Sequence, residues 1–281
     1  MEVITAEHAG YCFGVERAVN IVYQLIEAGE TPLYTYGPII HNETVVEELE
    51  AKGVRILADE AALETAEPGT VVIRSHGVSR AVQQKMEVLG FRVEDATCPF
   101  VKKIHHLVEQ AEAEGHEVLI TGDPDHPEVQ AICGWCRKKP TVIREAADIS
   151  EISTYDSPFV VSQTTFQQKK FKEIVEKLNR NGYNAIVVNT ICNATQTRQK
   201  EAEALASSVD AMIVIGGSQS SNTKKLYEIC KAHCGKTYYI RTLVDLRHQG
   251  FQPVRCVGIT AGASTPKKII EEVQAYVRNE F

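Results

Sequence analysis

Three cysteines recur at matched places in this chain: Cys12, Cys98 and Cys192. Each precedes a helical pattern, a short apolar strand and a Gly-containing turn. The turn then delivers a polar residue at nearly one offset, with His41, His126 and Asn222 standing 29, 28 and 30 positions after their cysteine. A thiol at the start of a helix meets unsatisfied backbone N–H groups and the positive end of the helix dipole. Both favour the thiolate, the form that ligates metals. A lone Cys is usually a small buried hydrophobe. Threefold registration argues instead for thiols that meet around one cofactor, either zinc or an iron–sulfur cluster. Structural zinc usually takes closely spaced pairs and a fourth protein ligand, and no fourth cysteine stands at the repeat position. Three thiolates on a cubane 4Fe-4S cluster would leave one iron open for substrate, the arrangement of a Lewis-acid or redox site.

The same strand ends carry a polar set. His41, His76 and His126 occupy matched positions, and Thr164, Ser220, Ser221, Asn222 and Ser264 join them. The set is rich in donors and poor in lysine. Gly-rich turns and helix N-termini would add backbone N–H groups, so phosphate or diphosphate is the natural guest. The loop Gly216–Asn222 alone matches neither the dinucleotide fingerprint nor the P-loop. Glu128 follows His126 by two positions and Glu43 follows His41 by two. Either could move protons, or could be a first-turn carboxylate that suits the helix dipole. Cys133 and Cys136 have a C-x-x-C spacing, but late in a short helix pattern rather than at a strand-to-helix start. They read, with Cys230, Cys234 and Cys256, as packing or incidental thiols. His105, His106, His116, His233 and His248 lie away from the strand ends. His8 lies near Cys12 but has no counterpart in the repeat.

The elements that must position these residues follow from periodicity. Val15, Val19, Val22 and Ile26 make one apolar stripe, which predicts a helix over 13–27 stopped by Gly29. Further helices are expected from His41 to Gly53, after His126, after Asn222, and over 79–89, 99–114, 168–178, about 195–206 and 266–278. Expected strands are 2–6, 33–36, 54–57, 71–73, 91–93, 118–120, 141–143, 159–161, 185–188, 212–215 and 256–259. Pro99 suits a first helical position, where its missing N–H costs nothing. The third repeat lacks the strand that precedes Cys in the other two, and Val3-Ile4-Thr5 is the missing piece. Alternating strands and helices imply parallel sheets with crossover helices. The expectation is an α/β protein of three pseudo-threefold-related lobes, with parallel sheets and flanking helices around a central cavity. Lobe 1 would span 12–97, lobe 2 98–191, and lobe 3 192–281, completed by residues 1–11. Ligands in such sheets bind beyond the carboxyl ends of the strands, where the polar set lies.

A hydrophobic fraction of 43% and a charged fraction of 24% are those of an ordinary globular protein. A net charge of −7 argues against a general nucleic-acid binder. The N-terminus lacks a basic region followed by a long apolar stretch, and no apolar run approaches a membrane span. A cytoplasmic location with no membrane or nucleic-acid partner is therefore expected. Eight cysteines in such a chain are more in keeping with thiols or metal ligands than with disulfides.

Nine ordered motifs resemble the 4-hydroxy-3-methylbut-2-enyl diphosphate reductase family. They are AGYCFGVERAV at Cys12, GPIIHN at His41, RSHGV at His76, ATCPFV at Cys98 and HPEV at His126. VSQTT at Thr164, TICNAT at Cys192, SSN at Ser220–Asn222 and TAGAST at Ser264 complete the set. The resemblance implies a three-lobed iron–sulfur enzyme with one 4Fe-4S cluster per chain, held by Cys12, Cys98 and Cys192. It implies that His41, His76, His126, Ser220, Asn222 and Ser264 bind diphosphate, with Ser221 nearby. Thr164 would hydrogen-bond the substrate hydroxyl end, and Glu128 would relay protons. The implied reaction is reductive dehydroxylation of an allylic diphosphate to isopentenyl and dimethylallyl diphosphate, with reduced ferredoxin or flavodoxin as donor. The family commonly has Gly before the HPE histidine, where this chain has Asp125, which bears on loop geometry and pocket charge. The resemblance assigns Glu43, the repeat counterpart of Glu128, no such proton-relay role. A redox-neutral hydro-lyase would also use an open iron, and a non-enzymatic sensor would not need the diphosphate set.

Overall fold

The computed structural model describes residues 1–151 and 157–280. The strands are β1 (Glu2–Thr5), β2 (Leu33–Tyr36), β3 (Arg55–Leu57), β4 (Thr70–Ile73), β5 (Arg92–Asp95) and β6 (Val118–Thr121). They continue with β7 (Thr141–Ile143), β8 (Phe159–Ser162), β9 (Ile186–Val187), β10 (Ala211–Ile215), β11 (Thr237–Ile240) and β12 (Cys256–Ala261). The helices are α1 (Phe13–Glu27), α2 (Glu43–Ala51), α3 (Glu60–Thr65), α4 (Arg80–Val88), α5 (Pro99–Ala113) and α6 (Pro127–Cys133). After them come α7 (Gln168–Arg180), α8 (Asn193–Ala206), α9 (Ser221–His233), α10 (Leu243–His248) and α11 (Lys267–Glu280).

The described strands form three four-stranded sheets with one internal order: β3-β2-β4-β5, β7-β6-β8-β9 and β11-β10-β12-β1. Every pairing is parallel. The expected fold class, parallel sheets with flanking helices, is what the structure shows. Strands β2, β4, β6, β8 and β10 are buried along their length. Crossover helices cover both faces of a parallel sheet, so its inner strands read as unbroken apolar runs. The period of two still assigns faces. Leu119 and Val160 pack with Phe171 and Ile174, while Ile120 and Val161 pack with Ile104 and Val108. Strand β1 pairs with β12, Val3 opposite Val257 and Thr5 opposite Ile259.

The expected 91–93 strand is shifted to Arg92–Asp95, and α3, β11 and α10 were not among the expected elements. Helix α3 carries a local signal, since the Asp59 side chain accepts from the Ala62 amide at 2.9 Å as its N-cap.

The chain divides into two compact units. One comprises Met1–Glu16, Ile40–Glu48 and Asn193–Phe281, and holds the sheet with β1. The other comprises Arg17–Ile39 and Leu49–Cys192, and holds the remaining two sheets. Among the described residues no helix is long and apolar enough to cross a membrane.

Candidate functional site

The three repeat cysteines have one backbone setting. Each immediately precedes a helix, Phe13 opening α1, Pro99 opening α5 and Asn193 opening α8. Each donates its N–H to a carbonyl two residues past a strand end: Cys12 to Ala263 at 3.2 Å, Cys98 to Ser75 at 3.0 Å and Cys192 to Thr164 at 3.1 Å. The bond ties every thiol to a loop that bears a candidate polar residue, respectively Ser264, His76 and Thr164 itself. All three thiols are half-buried.

In the two-sheet unit the structure brings together His76 and His126, whose rings meet edge-on with centroids 5.3 Å apart. His126 caps α6, and its Nδ1 accepts the Glu128 N–H at 3.1 Å. A neutral His126 that accepts at Nδ1 carries its proton on Nε2, so the ring presents a donor. Glu128 is 1% exposed and Thr164 6%. The Glu128 carboxylate takes both of Thr164's donors, the amide at Oε1 (2.5 Å) and the hydroxyl at Oε2 (2.7 Å). Thus Cys192, Thr164 and Glu128 are linked in one chain of hydrogen bonds. Gln163, fully buried, accepts from the Asp123 amide at 3.2 Å and donates to Thr165 Oγ1 at 3.0 Å. It stitches the turn before His126 to the loop of Thr164, a role that a Gln just past an apolar strand does not announce.

Asp125 turns outward: its side chain is 83% exposed and lies 2.6 Å from Arg144, which also holds Asp123 at 3.1 Å. Among the described residues only glycines have positive φ. Asp125 therefore fits its loop without backbone strain, and its charge is paired with Arg144.

In the other unit, two residues meet the His41 carbonyl. Ser264 Oγ donates to the His41 carbonyl at 3.0 Å. Gly217 lies so close to that carbonyl that a Cβ would collide with it. Two residues on, Glu43 Oε1 accepts the amide (3.0 Å) and hydroxyl (2.5 Å) of Ser218. Burial alone would raise the Glu43 pKa, but the Ser218 bonds outweigh it and hold the carboxyl below its ordinary value. Tyr239, whose phenol burial pushes up to about 12, donates to the Gly217 carbonyl at 2.6 Å. Ser220 caps α9 by accepting from the Thr223 amide at 3.2 Å. Lys225 reaches Ser221 Oγ at 3.0 Å, so a cation does stand beside the polar set. Asn222 is 5% exposed, and neither atom of its amide has a hydrogen-bond partner among the described residues. A buried amide with donors and acceptor unused is a place for a polar ligand.

The remaining thiols fall elsewhere. Cys230 and Cys234 are in the core with Met212 and Leu226. Cys133 and Cys136 pack against the cluster of Ile104 and Ile132, and burial pushes the Cys136 thiol up to about 12. His8 is exposed and pairs with Glu201 at 3.4 Å. Two residues outside the expected set support His76. Trp135 donates from its indole to the Val78 carbonyl at 2.8 Å and stacks on His105 at 4.9 Å. His105 in turn closes against Gly77, whose φ of +74° only glycine adopts freely and whose missing Cβ leaves room for the imidazole.

Parallel sheets with flanking helices, and a thiol heading a helix in each repeat, define a class of α/β protein built from three like lobes. The chain belongs to the LytB protein family, whose match spans residues 3–278. It is 43% identical over 274 residues to the 4-hydroxy-3-methylbut-2-enyl diphosphate reductase of Caldanaerobacter subterraneus subsp. tengcongensis, covering 97% of this chain and 95% of the relative. It is 44% identical to the Geobacter sulfurreducens enzyme of the same name, with the same coverage. Among solved structures it is similar to an (E)-4-hydroxy-3-methyl-but-2-enyl diphosphate reductase described as the terminal enzyme of the non-mevalonate pathway. That likeness has TM-score 0.72 and 41% identity, covering 99% of both chains. The Plasmodium falciparum E-1-hydroxy-2-methyl-but-2-enyl-4-diphosphate reductase gives TM-score 0.93 at 26% identity, covering 99% of this chain and 88% of that one.

Proposed function

We propose that this chain is a 4-hydroxy-3-methylbut-2-enyl diphosphate reductase, yielding isopentenyl and dimethylallyl diphosphate. In the overall reaction the allylic C–O bond breaks and a C–H bond forms. Two electrons and two protons are taken up, and water leaves. Cys12, Cys98 and Cys192 would hold one 4Fe-4S cluster, each heading one lobe of the 12–97, 98–191 and 192–281 division, with 1–11 completing the last. Their matched hydrogen bonds and half-buried settings support that reading, since soft thiolates at helix N-termini suit iron–sulfur ligation. When bound, the cluster supplies the electrons and an iron that acts as Lewis acid. Reduced ferredoxin or flavodoxin would deliver those electrons.

The chain's own residues bind and protonate. His41, His76, His126, Ser220, Ser221, Asn222 and Ser264 take the diphosphate. The Nε2–H of His126, the unused Asn222 amide and the N-terminus of α9 are donors suited to it. The Ser264 hydroxyl donates to the His41 carbonyl here, and its O–H would rotate to face an anion. Thr164 holds the hydroxyl end of the substrate, and Glu128, once it has taken up a proton from solvent, passes that proton on through or beside it. The buried Glu128–Thr164 pair carries this reading: a carboxyl 2.7 Å from a hydroxyl, two residues after His126.

Anaerobic reconstitution followed by a product assay, with and without a reduced carrier, tests the proposal. Products are expected only with reductant. Turnover without it would assign the site to a redox-neutral hydro-lyase. A cluster whose spectrum ignores substrate would assign it to a sensor.

A further inference from the structure

Two guanidinium groups grip the backbone just ahead of two of the helix-heading cysteines. Arg198, on α8, is 5% exposed. Its Nη2 donates to the carbonyls of Gly10 at 2.8 Å and Tyr11 at 3.4 Å, and its Nη1 to Ala194 at 3.1 Å. Arg17, on α1, donates from Nη1 to the Thr97 carbonyl at 3.3 Å and from Nη2 to Asp95 at 3.2 Å. The gripped segments end at Tyr11 and Thr97, the residues immediately before Cys12 and Cys98. In sequence the arginines follow the repeat as well, Arg198 six positions after Cys192 and Arg17 five after Cys12. The stretch before Cys192 is fastened differently. Thr190 Oγ1 donates to the Ser162 carbonyl at 2.5 Å and accepts the Ser162 amide at 2.7 Å.

A guanidinium presents its N–H groups in a fixed plane. Holding two carbonyls at once fixes the peptide planes that lead into the cysteine, and with them the direction of its Cα–Cβ bond. We propose that Arg198 and Arg17 are positioning residues for the Cys12 and Cys98 side chains, two outer supports of the cluster site. The inference rests on the reading of those thiols as ligands. The plainer account, that each arginine only stitches the fold, predicts no selectivity among the cysteines, and that difference is measurable.

Arg198→Lys keeps the charge, but an ammonium cannot fork across the same carbonyls. Arg17→Lys is its companion at a half-buried position, where folding is less at risk. In the full-length chain without iron, Arg198→Lys should speed iodoacetamide alkylation of Cys12 about threefold or more, leaving Cys98 and Cys192 unchanged. Arg17→Lys should do the same to Cys98 alone, each read by peptide mass spectrometry. After reconstitution, iron release to a chelator should be about 10-fold faster in either variant. An equal change at all three thiols, or no change at the paired cysteine in either variant, overturns the proposal. A wild-type chain that takes up no iron would sink the cluster reading instead, while the alkylation pattern would still decide what the arginines do.

Discussion

Glu128 and Thr164 are 36 positions apart, yet one carboxylate accepts both of Thr164's donors. Glu128→Gln separates geometry from proton supply. The amide oxygen can still accept the Thr164 N–H, and the hydroxyl can turn to accept from the new NH2. The variant should keep cluster absorbance and KM while kcat falls about 100-fold, the usual weight of one positioned acid. Steady-state and single-turnover kinetics would check it, and undiminished turnover would remove Glu128 as the proton source. At this scale the sequence was informative about candidates and silent about partners. Glu43 and Glu128 stand at the same offset from a histidine, and both suit a helix dipole. Only the fold shows that Glu128 reaches Thr164 while Glu43 reaches Ser218. The outward pairing of Asp125 with Arg144 was equally beyond reading from the sequence, because it depends on a loop 19 positions away.

The start of α2 and the loop 216–220 are held together as a unit. Glu43 binds Ser218 through amide and hydroxyl, Tyr239 binds the Gly217 carbonyl, and Gly217 lies against the His41 carbonyl. The loop leads directly into Ser220, Ser221 and Asn222. Charge-assisted hydrogen bonds are the stronger ones, so Glu43→Gln should loosen the loop without touching the acid. The expected result is an inorganic-diphosphate affinity lower by about fivefold, read by calorimetry, with kcat at saturation unchanged. Because Glu43's carboxyl is held below its ordinary 4.5, the tie is complete above that pH and is lost only as pH falls through the lowered value. The affinity gap between wild type and variant should therefore be constant from about pH 8 to 5. An unchanged affinity would mean that Tyr239 and the Ser220 cap suffice. A long helix and short apolar strands were legible: α1, β2 and β7 fall at the expected residues. Helix α3 and helix α10 have six residues each, too few for a periodic signal. Strand β11 is an edge strand, buried only at Ile240, so it shows no apolar run.

At the scale of the whole molecule the repeat was the readable feature, because all three sheets obey one strand order and the apolar runs mark the inner strands of each. The sequence could not show which side chains meet between repeats. His105 belongs to α5 and Trp135 follows α6, and their stack closes on Gly77 in the loop of His76. His105 is 4% exposed, and burial pushes its pKa from 6.5 to about 4, so it folds neutral. An unfolded chain protonates the same imidazole near 6.5. The stability gained by keeping it neutral is thus fully present above that pH, and is lost as pH falls from 6.5 towards about 4. Between pH 7.5 and 5 this one group should remove about 2 kcal/mol. His105→Gln keeps a planar polar side chain that does not titrate. It should lower stability at pH 7.5 through the lost stack on Trp135, yet lose about 2 kcal/mol less than wild type on going to pH 5. Urea unfolding of both proteins at the two pH values gives the comparison, in which every other titrating group cancels. Parallel losses in the two proteins would mean that His105 opens to solvent before the unit unfolds. A smaller loss in the variant would locate part of the acid sensitivity of the chain at the support of His76.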